Sequence, residues 1–358
     1  MIKIVHIIGA LVYGGAERLL LDICRKIDKT QFDISVIVLR QNNDLAKQFE
    51  DAGIPVTIFE KKGKLDFGVI ERLADYLRLQ KPDIVHTHLF AGEFWGFMAC
   101  HQAKIKNVIC TKHGIVKEDF LRDYLIKKAT RKMKRVIAIS QAVQDYVLLE
   151  MKVGVKKISV IYNGIDTDKF YGLSRPILSG ETLSLGCVGR LSKEKGQKHL
   201  IRACRFLKAP DWKLYLVGDG PMREELEQLS KSLGLEANIV FCGSQADVRP
   251  YLDKMDIFVL PSISEGLSLA VLEAASAAKL IIASNVGGLP EIITDKETGL
   301  LFTPKNIEQL VSHINWAYEH KEQAQKMALA LQQQVMQKFD IDKTIKQYED
   351  LYRNLITK

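Results

Sequence analysis

Short β-rich runs alternate with helical patterns along almost the whole chain, and this alternation occurs in two rounds. The runs of the first round lie at 2–8, 33–39, 56–59, 83–89, 107–113, 135–140 and 158–162, and those of the second at 183–190, 212–218, 239–243, 257–262 and 280–284. Strands that are separated by helices pair in parallel and carry helices on both faces of the sheet. The pattern predicts an α/β protein of two Rossmann-like, doubly wound domains facing a cleft, where ligands bind at the carboxyl ends of the strands.

Chain length and one irregular segment set the predicted domain boundaries. A chain of 358 residues is long enough for two domains that each have a core. The segment 171–182 contains Gly, Ser and Pro without periodicity, and we predict that it is a linker between domains at 1–170 and 183–338. Three helical segments after residue 305 are expected to end the chain.

The spacing of the cysteines and the hydropathy of the chain indicate the cellular compartment. The six cysteines are scattered without close pairs, so the sequence favours neither a disulfide framework nor a zinc site and is typical of a reducing cytosol. No apolar run reaches the roughly eighteen residues of a membrane span. The first ten residues are typical of a buried strand and lack the features of a signal peptide. We therefore expect a cytoplasmic protein.

Positive charge is concentrated in the N-terminal half. Residues 1–170 carry 28 Lys and Arg against 20 Asp and Glu, whereas residues 171–358 carry 23 of each. Nucleic acid is not favoured as a partner, because no aromatic platform or recognised binding motif accompanies the charge.

The segment 117–135 holds eight basic and three acidic residues. We predict a helix here with a short apolar side, and with basic residues toward its end, where the helix dipole favours them. The apolar side would consist of Phe120, Tyr124, Leu125 and Ile126. A solvated face and a surface for an anionic membrane or acceptor are both compatible with this pattern, and the second would make the protein peripheral on the inner face of the plasma membrane.

Each predicted domain has a loop suited to phosphate after its first strand. In the first domain, Gly14 and Gly15 precede a helix, and glycines there allow backbone to approach a phosphate closely. In the second, the sequence GRLSKEKG places Arg190 and Lys195 after the strand. Two cations at that position could neutralise a diphosphate and stabilise it as it departs, although each alone could be an ordinary surface cation.

The sequence EGLSLAVLE places two carboxylates, Glu265 and Glu273, eight residues apart. If the whole stretch were helical, the rise of 1.5 Å per residue would separate them by about 12 Å. That is too far for a glycosidase-type pair, and it suits two groups that hold opposite ends of an elongated ligand. Gly266, Leu267 and Ser268 are predicted to form the first helical turn, whose free N–H groups attract an anion.

Six motifs together resemble the family 4 retaining glycosyltransferases, which have the two-domain GT-B fold. They are GGAE (14–17), GRLSKEKG (189–196), LVGDGP (216–221), VFCG (240–243), EGLSLAVLE (265–273) and VGGLPEII (286–293). The resemblance covers nearly the whole chain. It implies an acceptor-side domain at 1–170, a nucleotide-sugar-binding domain at 183–338, and a terminal helix at 339–358 that crosses back to the first domain. Ser268 departs from the family pattern, in which Pro or Gly is more frequent.

The resemblance also implies a role for each matching residue. Glu265 would bind the hydroxyls of the donor sugar and Glu273 those of the ribose. Arg190 and Lys195 would hold the diphosphate, with a backbone N–H from Gly15. The base would be bound by backbone around Ser244 and Gln245, and the residues near the diphosphate would be Gly14, Gly266, Leu267, Ser268 and Leu269.

The implied reaction transfers a sugar from a nucleotide diphosphate sugar, with UDP favoured, to a hydroxyl of a glycan or lipid-linked acceptor. Retention would follow from same-face attack, with the leaving diphosphate as the base, and neither metal nor cofactor would be required. His113 resembles the histidine that points toward the donor sugar, and a structural histidine is its alternative. His86 and His88 share one face of a strand, and a metal site there is not favoured without a third partner.

Other classes of protein stay open at this point. A nucleotide-sugar epimerase can share this fold and would need no acceptor. A pyridoxal-phosphate phosphorylase would need a lysine that forms a Schiff base. A non-catalytic nucleotide-sugar-binding protein is a third alternative, although the intact pair of cations disfavours it.

Overall fold

A computed structural model describes residues 1–41, 43–63, 66–115, 119–173 and 182–357. The chain divides into two compact units, the first formed by Met1–Asn163 with Ile341–Lys358 and the second by Gly164–Asp340. The corresponding boundaries predicted from the sequence are 170 and 338. Most of the linker predicted for 171–182 lies outside the described residues.

The first unit is built on a seven-stranded parallel sheet with the order β3-β2-β1-β4-β5-β6-β7. Its strands are β1 Ile2–Ile8, β2 Phe32–Val38, β3 Val56–Ile58, β4 Ile84–His88, β5 Val108–Lys112, β6 Arg135–Ala138 and β7 Ile158–Val160. The central strands are almost wholly buried, because both faces of the sheet are covered. The strand order reverses between β1 and β4, and ligands of open α/β sheets bind at the carboxyl ends of strands at such a point.

Seven helices accompany this sheet among the described residues. They are α1 Gly15–Lys26, α2 Ala46–Asp51, α3 Gly68–Gln80, α4 Leu89–Ala103, α5 Phe120–Lys132, α6 Gln141–Leu149 and, from the end of the chain, α14 Ile341–Ile356. Helix α14 buries Tyr348 and Tyr352, and Thr344 donates a hydrogen bond to the carbonyl of Tyr162 over 2.9 Å. The terminal helix therefore belongs to the first unit.

The second unit repeats this arrangement with six parallel strands in the order β10-β9-β8-β11-β12-β13. The strands are β8 Leu183–Val188, β9 Trp212–Val217, β10 Ile239–Gly243, β11 Ile257–Leu260, β12 Leu280–Ser284 and β13 Leu300–Phe302. The helices are α7 Gln197–Cys204, α8 Arg223–Ser232, α9 Arg249–Lys254, α10 Leu269–Ser276, α11 Leu289–Ile292, α12 Ile307–Glu319 and α13 Lys321–Lys338. The order reverses between β8 and β11, which again marks the expected binding edge.

The predicted fold class, two parallel-sheet α/β domains, is confirmed. Strands β1, β10 and β12 have the predicted bounds, whereas the three-residue strand β13 was not predicted. Within the described ranges, no helix combines the length and the apolar character needed to span a lipid bilayer.

Candidate active site

Two loops meet at the strand crossover of the second unit. The loop after β8 contains Arg190 and a short 3-10 helix, Lys193–Lys195, and the loop after β11 contains Glu265. A backbone hydrogen bond of 2.7 Å from the N–H of Ile263 to the carbonyl of Glu194 joins the loops. Gly196 is the N-cap of α7 and has φ 67, a left-handed conformation, and a Cβ there would overlap the carbonyl oxygen of Pro261. The close approach of the two loops thus depends on a glycine at position 196.

Lys195 and Glu265 form an ion pair in these loops. The ammonium Nζ of Lys195 lies 2.7 Å from Oε2 of Glu265, and the hydroxyl of Ser262 donates to the same oxygen over 3.1 Å. The side chains are 22% and 10% exposed, so the pair is largely shielded yet reachable from solvent. A cation and a carboxylate next to each other can bind a phosphate oxygen and a sugar hydroxyl, respectively.

The segment before α10 differs from its prediction. Ser268 is the N-cap of α10, and its hydroxyl accepts a hydrogen bond from the N–H of Val271, so the helix begins at Leu269. Gly266 and Leu267 therefore precede the helix, and the 12 Å helical separation does not apply to Glu265 and Glu273. The predicted first turn was wrong because Ser is a strong N-cap residue and Gly disfavours a helix interior.

A glycine loop supports the backbone of Glu265. Gly287 has φ 53, and a Cβ at this position would overlap the carbonyl oxygen of Glu265. The N–H of Gly288 donates to the carbonyl of Gly266 over 3.0 Å. The motif VGGLPEII therefore fixes the backbone that carries the Glu265 carboxylate.

The other predicted residues of the second unit lie on separate elements. The Arg190 side chain is exposed two residues after β8, and its carbonyl accepts a hydrogen bond from Gln197 over 2.9 Å. Gln245 follows β10 and donates to the carbonyl of Cys242 over 2.6 Å. Glu273 is buried on α10. Of the predicted set, the structure thus brings Lys195 directly to Glu265.

Gly14 and Gly15 lie at the start of α1 in the first unit. Gly14 is the N-cap, with extended backbone, and Gly15 is the first helical residue. Glu17 is buried in the first turn, and its carboxylate folds back so far that a Cβ at Gly14 would overlap it. A glycine is therefore needed at position 14 if Glu17 keeps this position.

His113 directly follows β5 and ends a row of hydrogen-bonded imidazoles. Its Nε2 lies 3.1 Å from Nδ1 of His88, and Nε2 of His88 lies 2.9 Å from Nδ1 of His6. His6 and His88 are buried, whereas His113 is partly exposed. Because β1 and β4 are neighbours, this row runs across the strand crossover of the first unit.

His86 packs against this row but has other hydrogen-bond partners. Its Nδ1 lies 2.8 Å from the hydroxyl of Tyr352, and its Nε2 lies 2.8 Å from that of Thr111. Burial lowers the pKa of His6 to about 3 and that of His113 to about 4. Burial, reinforced by the neighbouring imidazoles, also holds the pKa of His86 and His88 well below the usual value. All four rings are therefore neutral near pH 7.

His6 is a neighbour of His86 and His88 that was not predicted from the sequence. It pairs with His86 in the register of β1 and β4, so its side chain falls on the same face. Ligand atoms of His6, His86 and His88 lie within 4.8 Å of one another, a spacing compatible with a metal ion. However, five of their six ring nitrogens already hydrogen-bond to one another, to His113, to Thr111 or to Tyr352. An ion would have to replace several of these hydrogen bonds.

A buried ion pair lies next to His113. The Lys112 ammonium contacts the carboxylate of Glu93 on α4, and both side chains are almost fully buried. Burial opposes the charge of Lys112, but the neighbouring carboxylate outweighs this effect and raises the pKa of Lys112 above its usual value. The pair holds the end of β5 against α4.

The exposed face of helix α5 differs from the apolar side that was predicted from the sequence. Phe120, Tyr124, Lys128 and Lys132 follow one another at intervals of four residues and are all exposed, so they share one helix face. Ile126 is buried, which contradicts the predicted apolar side that combined it with Phe120 and Tyr124. Lys127 instead pairs with Asp123 over 2.7 Å. Residues 117 and 118 of the predicted segment lie outside the described residues.

Two family profiles match consecutive parts of the chain. Residues 13–169 match the family described as Glycosyltransferase Family 4, and residues 177–334 match that described as Glycosyl transferases group 1. Together they cover most of both units.

Similar proteins extend over the full length. The chain is 26% identical to the UDP-Gal:alpha-D-GlcNAc-diphosphoundecaprenol alpha-1,3-galactosyltransferase of Escherichia coli, over 99% of this chain and 97% of that protein. It is also 26% identical to the N-acetyl-alpha-D-glucosaminyl L-malate synthase of Bacillus anthracis, over 81% of this chain and 80% of that protein.

A solved structure supports the fold. The chain is similar to Anabaena Alr3699/HepE, crystallised in complex with UDP-glucose, with a TM-score of 0.89 and 24% identity over 99% of this chain and 100% of that one. The predicted GT-B fold is thereby confirmed. The matching family profiles and the similar enzymes favour glycosyl transfer over the epimerase and binding-protein alternatives. The chain belongs to the family 4 glycosyltransferases of the GT-B fold and is a glycosyltransferase.

Proposed function

We propose that this enzyme transfers a hexose from a UDP-sugar to the hydroxyl of a lipid-linked glycan, with retention of the anomeric configuration. The observation that carries this proposal is the Lys195–Glu265 ion pair at the strand crossover of the second unit, where α/β sheets bind their ligands. The full-length similarity to a galactosyltransferase whose name specifies UDP-Gal and a diphosphoundecaprenol acceptor supports the choice of substrates.

The charges of this unit suit a departing diphosphate. Lys195 has three N–H donors, of which Glu265 occupies one, so the others can bind a phosphate oxygen while the pair stays intact. Arg190 adds a second cation in the same loop. Negative charge on the diphosphate grows as the bond to the sugar breaks, and fixed cations bind it more tightly in the transition state than in the ground state.

The carboxylates divide the rest of the donor between them. Glu265 accepts hydrogen bonds from the sugar hydroxyls, and Glu273 accepts them from the ribose. Glu265 is held by both Lys195 and Ser262, which suits a group that orients the sugar. The acceptor hydroxyl attacks from the face that the diphosphate leaves, and a diphosphate oxygen takes its proton. In this scheme Arg190 and Lys195 supply the charge that a metal ion would otherwise supply.

Alanine variants of the two cations test this scheme. We expect Arg190→Ala and Lys195→Ala to lower the turnover of UDP-sugar by about two orders of magnitude, because each removes a charge that stabilises the transition state. Lys193→Ala is the matched control, since Lys193 is an exposed lysine of the same 3-10 turn. Turnover should also continue in excess EDTA. Wild-type turnover in both variants would refute the assignment.

We further propose that α5 holds the enzyme at the anionic inner face of the membrane, where a lipid-linked acceptor is presented. Phe120 is 91% exposed and Tyr124 56% exposed, and Lys128 and Lys132 follow on the same face. Aromatic side chains enter the lipid interface, and each nearby lysine contributes about 1 kcal/mol at an anionic surface. The neighbouring Leu121, 64% exposed, adds to the apolar end.

Vesicle sedimentation tests this surface. The wild type should bind vesicles of anionic lipid, but not neutral vesicles, and binding should weaken as salt rises, since the Debye length is about 8 Å at physiological salt. The double variant Lys128→Glu/Lys132→Glu should lose this binding and retain donor hydrolysis. Lys231→Glu/Lys326→Glu changes net charge equally at two exposed lysines of the second unit and should bind as the wild type does. Equal binding by both double variants would exclude α5 as the contact.

A further inference from the structure

The hydrogen bonds between His6, His88 and His113 restrict which ring nitrogens carry protons. A neutral imidazole has one N–H donor and one acceptor nitrogen. His88 lies in the middle and uses both nitrogens, one toward His6 and one toward His113. It must therefore donate in one direction and accept from the other. Only two arrangements of the whole row are possible, and they differ in direction.

The buried end of the row distinguishes the two arrangements. Nε2 of His6 is buried, and none of the described residues hydrogen-bonds to it. If the row ran from His113 toward His6, this atom would carry a buried N–H without an acceptor. In the opposite direction, Nδ1 of His6 donates and Nε2 is a bare acceptor. A buried N–H left without a partner is rarer in native structures than an unsatisfied acceptor, so the second arrangement is favoured.

The favoured direction fixes the state of the last ring. Nδ1 of His6 donates to Nε2 of His88, and Nδ1 of His88 donates to Nε2 of His113. Because Nε2 of His113 accepts, its proton must be on Nδ1. No described residue hydrogen-bonds to that atom, and the side chain is partly exposed. The row therefore ends in an N–H donor at the carboxyl edge of the sheet.

We propose that His6 and His88 are positioning residues that fix His113 as its Nδ1–H tautomer, so that His113 presents a hydrogen-bond donor to an oxygen of the sugar being transferred. Contact with the sugar rests on the proposed function, whereas the tautomer does not. Burial keeps the three rings neutral, so each has one N–H donor and one acceptor nitrogen. His86 does not interrupt the row, because Tyr352 and Thr111 bind its two nitrogens.

The tautomer can be measured without any substrate. In protein labelled with ¹⁵N-histidine, two-bond ¹H–¹⁵N correlations at pH 7.5 distinguish a protonated from an unprotonated ring nitrogen, and His113→Gln identifies the signals of His113. We expect Nδ1 of His113 to be protonated and Nε2 to be unprotonated. The reverse pattern in the wild type would overturn the proposal.

Two variants of His6 that are isosteric with each other test whether the row determines the tautomer of His113. An Asp at position 6 is acceptor-only, so His6→Asp should reverse the row and move the proton of His113 to Nε2. An Asn there still donates with its amide, so His6→Asn should keep the wild-type tautomer. His320→Gln, in the second unit, should leave the signals of His113 unchanged. The same tautomer in both His6 variants would overturn the positioning role.

Kinetics then separates positioning from folding. With a UDP-sugar donor, His6→Asp should lower kcat about tenfold, the effect of one hydrogen bond, and leave the affinity for free UDP unchanged. His6→Asn should stay within about threefold of the wild type. Equal losses in both variants would indicate a merely structural role. If the wild type had the predicted tautomer of His113 but transferred no sugar, only the proposed function would be contradicted. A stoichiometric metal ion that is lost in His6→Asn would overturn the row itself.

Discussion

The imidazole cluster of His6, His86, His88 and His113 should make the first unit unusually sensitive to acid. Burial places the pKa of His6 at about 3 and that of His113 at about 4, and lowers the pKa of the other two well below the usual value. In the unfolded chain each titrates near 6.5. Because the folded pKa is the lower one, the unfolded state binds more protons as pH falls below about 6.5. The free energy of unfolding therefore decreases from that pH downward.

The size of the effect follows from the number of histidines. Each ring that stays neutral in the fold and becomes charged on unfolding removes about 1.4 kcal/mol per pH unit. Four such rings together remove about 5 kcal/mol per pH unit once the pH has fallen below about 6. Domains are typically stable by about 5–15 kcal/mol. We therefore expect the first unit to unfold between about pH 5 and pH 4.

Urea unfolding from pH 7.5 to pH 4.5, followed by circular dichroism, measures this dependence. His6→Asn should have a pH slope that is smaller than that of the wild type by about 1.4 kcal/mol per pH unit. The matched control is His101→Gln, an exposed histidine of α4, and its slope should equal that of the wild type. If stability were constant down to pH 4.5, or if both variants had the wild-type slope, the cluster would not be buried and neutral as described.

Three further outcomes follow from the second unit. In calorimetry with free UDP, Glu273→Ala should weaken binding at least tenfold, because it loses the ribose contact. Glu265→Ala should bind UDP as the wild type does but transfer little sugar. Equal effects of the two variants on UDP binding would contradict the assignment of Glu273 to the ribose and Glu265 to the sugar. Gly287→Ala should abolish transfer, because its Cβ would overlap the Glu265 carbonyl, and should destabilise the protein by more than the roughly 1–2 kcal/mol of left-handed backbone strain. The control is Gly234→Ala, which is also left-handed but has open space around its Cβ, and urea unfolding should show the strain alone. A maleimide at neutral pH should label Cys242 first in the native protein, since the other five thiols are buried. Rapid labelling of a second thiol would contradict the burial of these five cysteines.

Strong local patterns made most of the fold predictable. β1 is rich in β-branched apolar residues and has a helix after it, so its bounds and its parallel pairing could both be predicted. β13 has only three residues and carries too little periodicity to be recognised. The start of α10 was misplaced because apolar spacing continues through 265–273, while the N-cap preference of Ser268 decides where the helix begins.

The contacts of the candidate site were harder to predict, because they depend on which strands are neighbours. His6 is far from His86 in sequence, and only the adjacency of β1 and β4 puts both on one face. Lys195 and Glu265 likewise meet because β8 and β11 are adjacent, 70 residues apart in the chain. The crossover topology of a Rossmann-like sheet, applied to both rounds of strands, is the signal that could have predicted both contacts.

Glycosyl transfer itself can be measured with a radiolabelled UDP-hexose and a short-chain lipid diphosphate that carries one N-acetylhexosamine. We predict that label moves to the lipid in stoichiometric exchange for UDP, that the new bond has the anomeric configuration of the donor by NMR, and that Lys195→Ala lowers the rate about a hundredfold while Lys193→Ala does not. A product of inverted configuration, or no transfer from any UDP-hexose to any such acceptor, would contradict the proposed function.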